Sequence, residues 1–321
     1  LEELGRREEA AIMFTLGDDV SPLVRGAKDQ DQYSPEIRRH SATADRVIRE
    51  HLTALHRRAT EEAAEQAART GGGTAPDLSR VRNAIWTQTH DGPVTFRTPK
   101  QAPTIFYMPD LEPVPVTPRK DLPWAAHLEA ATRDILDEYL NAVDRGAEMA
   151  PYVEERFKDP TWSELRGRMD WASLHLFKHG RKTPSADRFP ATLAALKGVD
   201  VFRLAGGRPV EVFFSRLKPG THIPPHTGTS NHRLTVHLPL IVPEDCAIRV
   251  GDTVNTWRPG EVFAFDDSFE HEAWNRSDRE RVVLIFEAHR PDVSAAERLA
   301  IEHVFSARER WLNERRIPRP R

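Results

Sequence analysis

The sequence predicts an α+β chain in which helices at both ends flank a sandwich or barrel of short strands. Three observations carry that expectation. The hydrophobic period is helical near both ends and changes to two from Trp171 onward. Turn-forming groups punctuate the period-two region at short intervals, at Gly251-Asp252, Arg258-Pro259-Gly260 and Asn275-Arg276-Ser277-Asp278. The chain has 321 residues, 39% hydrophobic and 30% charged, a soluble composition long enough to bury a sizeable core.

Residues 1–70 read as a helical N-terminal region. The good helix formers Ala, Glu, Arg and Leu dominate 44–68, and Val47, Ile48, His51, Leu52, Leu55 and His56 share one stripe. A packed appendage and the remnant of a helical repeat both fit this region, and no internal period favours the repeat. Gly71-Gly72-Gly73-Thr74-Ala75-Pro76 breaks the helix, and 71–120 is expected to be a linker followed by a Pro-rich strap. Its prolines, in Phe106-Tyr107-Met108-Pro109 and at Pro113, Pro115 and Pro118, exclude a helix interior and suit an extended segment on a domain surface.

Residues 121–321 should then form the strand-rich domain with a C-terminal helix. A helix over 125–146 places Leu128, Ala131, Ile135, Tyr139 and Val143 near one face. Strands are expected at 171–177, 210–215, 233–242, 247–250, 253–257, 262–265, 272–274 and 282–288. The third alternates most clearly: Leu234, Val236, Leu238, Leu240 and Val242 share one face, Arg233, Thr235 and His237 the other. A last helix, 294–313, opens on Ser294 with Glu297 three residues on, the pattern of a capping box.

Charge and cysteine content exclude some functions. With 46 Lys+Arg against 49 Asp+Glu the formal charge is −3, so no basic surface for nucleic acid is expected. The longest apolar runs, such as 238–242, fall far short of the roughly 20 residues that span a bilayer. The single cysteine, Cys246, excludes an intramolecular disulfide and fits a cytoplasmic setting. The first residue is Leu1 and not Met, so a preceding segment is expected to be missing.

Histidines concentrate in the strand-rich part. His222, His226, His232 and His237 crowd one segment and His271 follows. Imidazole is a common ligand of iron, zinc, copper and nickel, and two histidines are the usual nitrogen donors of non-haem Fe(II) sites. His226, where a loop runs into a strand, and His271, just before a later strand, suit a double-stranded β-helix with a metal at one end of the barrel. Surface histidines remain the alternative. A hairpin centred near Arg276 would set Arg281 opposite His271, with facing Cα atoms about 4.5–5.5 Å apart. A guanidinium there suits a carboxylate held bidentately. His237, on the polar face of its strand, would look into the same barrel.

Taken together, Phe214-Ser215-Arg216-Leu217-Lys218-Pro219-Gly220-Thr221-His222, Pro225-His226-Thr227-Gly228, Arg233-Leu234-Thr235-Val236-His237-Leu238 and Phe265-Asp266-Asp267-Ser268-Phe269-Glu270-His271-Glu272-Ala273-Trp274 resemble the signature of the aspartyl/asparaginyl β-hydroxylase family, in a bacterial-type member. The resemblance is strong over 171–291, weaker over 103–124 and absent over 1–70. It implies a double-stranded β-helix (jelly-roll, cupin-like) that binds Fe(II) and 2-oxoglutarate and uses O2 as co-substrate. By the same resemblance His226 and His271 are the catalytic metal ligands. Ser215 and Arg281 hold the distal carboxylate of 2-oxoglutarate, His237 lies near its metal-bound end, and Trp171 begins a strand leading to the pocket. The common His-x-Asp/Glu motif is replaced by His226-Thr227-Gly228, a glycine the family shares, which leaves one iron position to water. Two departures concern substrate: Thr235 stands where animal members have an arginine, and 181–187 lacks their paired cysteines.

The reaction so implied is hydroxylation of an unactivated carbon, first of all Cβ of an Asp or Asn residue in a peptide or protein. The cluster Asp266, Asp267, Glu270 and Glu272 is expected to orient His271 or cap its turn. A free or carrier-bound amino acid, a lipid acyl chain, a non-catalytic jelly-roll binding module and a zinc site stay open on the residues alone.

Overall fold

The computed structural model describes residues 6–70, 74–204 and 207–316, and it divides the chain into two compact units. One comprises Leu1–Thr95 with Ala295–Arg321, the other Phe96–Ser294. This differs from the expected division. The C-terminal helix belongs with the N-terminal helices, and the Pro-rich strap is part of the strand-rich unit. The predicted break at Gly71-Gly72-Gly73 lies outside the described residues.

In the helical unit, α1 (Arg7–Val20) and α2 (Pro35–Thr70) are joined by the C-terminal α6 (Ala295–Glu314). Helix α2 runs 36 residues, about 54 Å at 1.5 Å per residue. Its buried positions include Ala44, Val47, Ile48, Leu52, His56 and Ala59, so the predicted stripe faces the core. His51 and Leu55 lie at its half-buried margin, with the His51 ring 4.6 Å from Trp311. His56, buried by this packing, is matched at both ring nitrogens. His56 Nε2 donates to Val81 O at 2.8 Å while Nδ1 accepts Trp86 Nε1–H at 3.2 Å. Burial accordingly lowers the His56 pKa to about 4. Glu297, the residue of the expected capping box, gives its carboxylate to Arg80 at 2.7 and 2.6 Å.

The other unit is a sandwich of two antiparallel sheets. The strands on the main paths of these sheets are β1 (Val116–Thr117), β2 (Ala150–Pro151), β3 (Trp171–Lys178), β4 (Val212–Leu217), β5 (Thr221–His226), β6 (Arg233–Ile241), β7 (Cys246–Val250), β8 (Thr253–Asn255), β9 (Phe263–Phe265), β10 (His271–Asn275) and β11 (Arg281–His289), and the short Arg181–Lys182 pairs with the end of β3. The larger sheet has the order β1-β9-β6-β11-β4-β3-β2 and the smaller β5-β10-β7-β8, so successive strands cross between sheets as a double-stranded β-helix requires. The eight expected strands are present with ends shifted by a few residues, and β5 is an additional one.

The alternation of β6 determines what the larger sheet covers. Leu234, Val236 and Leu238 point outward into a core with helices α3 (Ala125–Ala130), α4 (Thr132–Asp144) and α5 (Pro190–Ala195). The expected single helix 125–146 is interrupted at Ala131, and Leu128, Ile135 and Tyr139 from its two halves pack on Leu174, Phe214, Leu284 and Phe286. The opposite face looks between the sheets. There Leu217, Ile223, Ile248, Trp257 and Phe265 form a second core beside the polar pocket.

The Pro-rich strap is extended, as expected, but it is not a surface feature. Phe106, Tyr107 and Met108 are fully buried, and Val116–Thr117 adds a strand beside β9. Among the described residues no helix is long and apolar enough to cross a membrane.

Phe214 is fully buried on β4, between the rings of Tyr139 at 5.1 Å and Phe189 at 4.9 Å. Phe214→Ala should cost about 3–5 kcal/mol of stability, read as a lowered denaturant midpoint with little change in slope.

Candidate active site

Strand register brings His226 and His271 together. β5 and β10 pair antiparallel, with Thr221 opposite Asn275, Ile223 opposite Ala273 and His226 opposite His271. Between the last two pairs β5 advances three residues while β10 advances two, so one extra residue is accommodated at Pro224-Pro225. Side chains alternate along a strand, so without the extra residue His226 would point away from the face shared by Thr221 and Ile223. The bulge restores the parity. Proline lacks the N–H that a regular ladder would use and so suits this position. The two imidazoles lie 4.1 Å apart at their centroids, inclined by 53°.

Both rings are held the same way. His226 Nδ1 bonds Pro224 O at 2.8 Å, and His271 Nδ1 bonds Phe269 O at 2.9 Å, each to the carbonyl two residues upstream. A carbonyl only accepts, so Nδ1 carries the proton in both, and each Nε2 keeps its lone pair for a metal. Burial lowers the pKa of His226 to about 3, with His271 adding to the shift, and burial lowers that of His271 to about 4. The pair is therefore neutral at pH 7, the form in which imidazole binds metals. Among the described residues no group of three His, Cys, Asp or Glu side chains gathers to hold a metal.

Space beside this pair is taken by Asp267. A methyl group on Gly228 would overlap the Asp267 carboxylate, which accepts a hydrogen bond from Thr235 Oγ1 at 3.1 Å. Gly228 thus makes room for an acid that reaches the metal side of the pocket from another loop. The rest of the acidic cluster is placed otherwise. Asp266 is fully buried against Arg290 at 3.1 Å, and Glu270 and Glu272 pair with Arg249.

Ser215, Arg281 and Trp171 converge on the inner face of the larger sheet, where Leu217 of β4 lies opposite both Arg281 and Trp171. Ser215 Oγ accepts Trp171 Nε1–H at 3.0 Å and Arg281 Nη1–H at 3.4 Å, and the guanidinium carbon stands 4.8 Å above the Trp257 ring. Arg281 is only 1% exposed, its Nε has no hydrogen-bond partner, and among the described residues no carboxylate pairs with it. Burial pulls its pKa down to about 10. The facing proposed from a hairpin is corrected: β10 and β11 lie in different sheets, so Arg281 enters the pocket from the sheet opposite His271.

His237 also looks inward, amid Trp257 at 5.7 Å, Phe263 at 6.3 Å and Phe265 at 5.3 Å. Its Nδ1 is buried without a partner, and burial next to Arg281 holds the ring neutral. His222 and His232 are not brought into this group. His222 is exposed on the outer face of the smaller sheet and bonds Glu272 at 2.7 Å, and His232 packs between the Phe106 and Phe202 rings.

Several lining residues were not singled out from the sequence. Trp162, at the end of a short 3-10 helix, stands edge-on to His226 at 4.8 Å, and Tyr152 stacks on Trp171 at 4.0 Å. Glu287 was visible as an acid inside the apolar run 282–288, a signal of a polar environment on one face of that strand.

Two predictions follow from the neutral pair and from Gly228. Both histidine pKa values lie below the ordinary 6.5, so the unfolded chain takes up more protons between about pH 4 and pH 6.5. Stability of the metal-free protein should therefore rise with pH across that window, and the rise should shrink in His226→Gln, as read by denaturant titration. Above it Fe(II) affinity should be flat to about pH 8, since no ring proton remains to be displaced. Gly228→Ala should displace Asp267 and cost about 1–3 kcal/mol, measured by the same unfolding titration.

Comparison with known proteins places the barrel in a family. Residues 129–291, just over half of the chain, match the family model described as Aspartyl/Asparaginyl beta-hydroxylase. The mouse Aspartyl/asparaginyl beta-hydroxylase is 37% identical over 144 residues, covering 44% of this chain and 19% of that protein. The Ornithine lipid ester-linked acyl 2-hydroxylase of Rhizobium tropici is 34% identical over 186 residues, covering 57% of this chain and 63% of that one. The chain thus spans about a fifth of the first relative and less than two thirds of the second. Among solved structures, a cupin-superfamily sugar phosphate isomerase from Silicibacter pomeroyi shares 15% identity over 46% of this chain and 74% of that one, at a TM-score of 0.28, too slight a likeness to carry weight. The family match runs from the helix before the barrel through its final strand, and the chain belongs to the aspartyl/asparaginyl β-hydroxylase family.

Proposed function

We propose that the barrel unit is an Fe(II)- and 2-oxoglutarate-dependent dioxygenase that hydroxylates an unactivated carbon. The observation that carries this reading is Arg281, a buried guanidinium with no carboxylate of its own, in the same pocket as two neutral histidines whose Nε2 atoms are free. A buried charge without a partner costs several kcal/mol. A ligand carboxylate removes that cost, and a dicarboxylate whose other end chelates a metal answers both features at once.

The residues present fit the group. His226 and His271 would hold Fe(II) through Nε2. Arg281 and Ser215 would bind the distal carboxylate of 2-oxoglutarate, and His237, with its free Nδ1, would meet the end nearer the metal. When bound, iron and 2-oxoglutarate supply oxidative decarboxylation to succinate and CO2, with one oxygen atom of O2 inserted into a substrate C–H bond. The protein contributes fixed geometry and exclusion of water. Trp171 holds Ser215, Trp257 lies under the Arg281 guanidinium, and Phe263 and Phe265 close the space around His237. Thr235 orients Asp267 beside Gly228, where the His-x-Asp/Glu pattern would have placed a third ligand.

The family description favours Cβ of an Asp or Asn residue as the target, and the Rhizobium relative's name supports an acyl-chain carbon as the second reading. Either substrate is compatible with O2 chemistry at the same metal.

Anaerobic addition of Fe(II) and then 2-oxoglutarate to metal-free protein should produce a weak visible metal-to-ligand charge-transfer band. It should be absent in His226→Ala. In Arg281→Ala the 2-oxoglutarate needed to reach half its intensity should rise by about tenfold or more, the scale of a lost charge-assisted pair. Absence of the band in folded, iron-loaded wild-type protein would exclude this function.

A further inference from the structure

The inner face of the larger sheet carries a second charged group, opposite in sign to Arg281. Along β11, Arg281 and Glu287 fall on the same inward face, six residues and about 20 Å apart, beyond the span of a five-carbon dicarboxylate anchored at Arg281. Glu287 lies opposite Thr235 of β6, and Thr235 in turn donates to Asp267 beside the histidine pair. Glu211, just before β4, joins them: Glu211, Asp267 and Glu287 are close enough that Glu211 and Asp267 raise the Glu287 pKa, and all three act on the Tyr152 hydroxyl.

The cation among these acids is already engaged. Arg233 Nε is 2.7 Å from Glu287 Oε1, and its Nη2 donates to Thr229 Oγ1 at 2.9 Å, with the guanidinium over the Phe202 ring. Three carboxylates therefore face one paired guanidinium. Glu211 Oε1 accepts the His179 main-chain N–H at 3.0 Å, and its side-chain neighbours are two imidazoles, His175 and His179, each at 3.3 Å. The second oxygen of Glu287 is buried and has no hydrogen-bond partner, a vacancy for a donor. Among the described residues no unpaired cation faces these acids, so a substrate carboxylate arriving here would be repelled. An ammonium or guanidinium group would satisfy the unpaired oxygen and the excess charge together.

We propose that the substrate carries a cationic group, an amine or guanidinium, which Glu211 and Glu287 receive at the end of the pocket away from Arg281. This rests on the oxygenase reading for where the substrate lies. The hydroxylated unit is then a basic amino-acid residue or another amine-bearing unit, in place of the Asp residue that the family description favours, and Arg233, balanced by Glu287, is a positioning residue for that wall.

The test uses three neutral-ended probes of similar size, N-acetyl-lysine amide, N-acetyl-norleucine amide and N-acetyl-aspartate amide. Each is titrated anaerobically into protein carrying Fe(II) and 2-oxoglutarate, read by perturbation of the charge-transfer band and by calorimetry. The lysine probe should bind at least about tenfold more tightly than norleucine, and the aspartate probe most weakly. Glu211→Gln and Glu287→Gln should each reduce the lysine preference, and Glu287→Gln, by freeing Arg233, should improve aspartate binding. Because Glu287 is an ion-pair partner, Glu211→Gln stands as the variant that leaves the Arg233–Glu287 pair intact. Aspartate binding as tightly as lysine, a lysine preference unchanged in folded Glu211→Gln, or no binding of any probe with the band intact would each overturn the proposal. A missing band would instead remove the oxygenase reading, and the calorimetric lysine-to-norleucine ratio would still decide whether the acids select a cation.

Discussion

The extra residue at Pro224-Pro225 is the constraint on which the site depends. Strand β5 carries Thr221 and Ile223 on its inner face, and by simple alternation His226 would belong to the outer one. A single bulge returns it to the interior, directly opposite His271. Once the rings face each other, the two upstream carbonyls complete the arrangement by taking both Nδ1 protons. The approach of the two imidazoles follows from backbone register, and they inherit their tautomers from it.

The pocket built around that pair is electrically polarised. One end holds a cation without an anion, Arg281, seated on Trp257 and Ser215. The other holds Glu211, Asp267 and Glu287 with Arg233 as their paired cation. Such an arrangement is expensive in an empty protein and suits one that works with two ligands of unlike charge. It also explains why the inner faces of β4, β6 and β11 mix polar groups into otherwise apolar strands, while their outer faces, Arg216 apart, are apolar against the helices. The same sheet separates chemistry from stability.

Much of this was legible in the sequence. The alternation in 233–242 correctly assigned Leu234, Val236 and Leu238 to one face and His237 to the other, because period two survives whatever the strand pairs with. The structure also gathers Ser215, His226, His237, His271 and Arg281 around one pocket. The route from His271 to Arg281 was misread. A tight hairpin within one sheet and an arch between two sheets can share the turn Asn275-Arg276-Ser277-Asp278, and only the partners of the flanking strands distinguish them. Strand β5 was missed for a related reason: two adjacent prolines argue against a regular strand, and here they mark its irregularity. The C-terminal helix was assigned to the wrong unit because amphipathic periodicity shows that a face will be buried without showing against what. Glu287 carried a local signal, an acid in an apolar strand, but its neighbours Glu211 and Asp267 come from distant segments.

The strap from Lys100 to Thr117 gives the barrel a boundary that a family match would not. Ala102 N–H bonds Ser268 O and Glu270 N–H bonds Lys100 O, while Ile105 and Phe106 N–H both reach Thr229 O, so the loops following His226 and preceding His271 are laced to the same segment. Pro115 O takes the N–H of Asp266 as well. A fragment trimmed to the matching residues would keep Ser215, His226, His237, His271 and Arg281 yet expose the main-chain groups that fix the two loops. The segment that fixes these loops therefore begins some thirty residues before the matching one, and the polypeptide upstream of the match acts as part of the barrel's scaffolding.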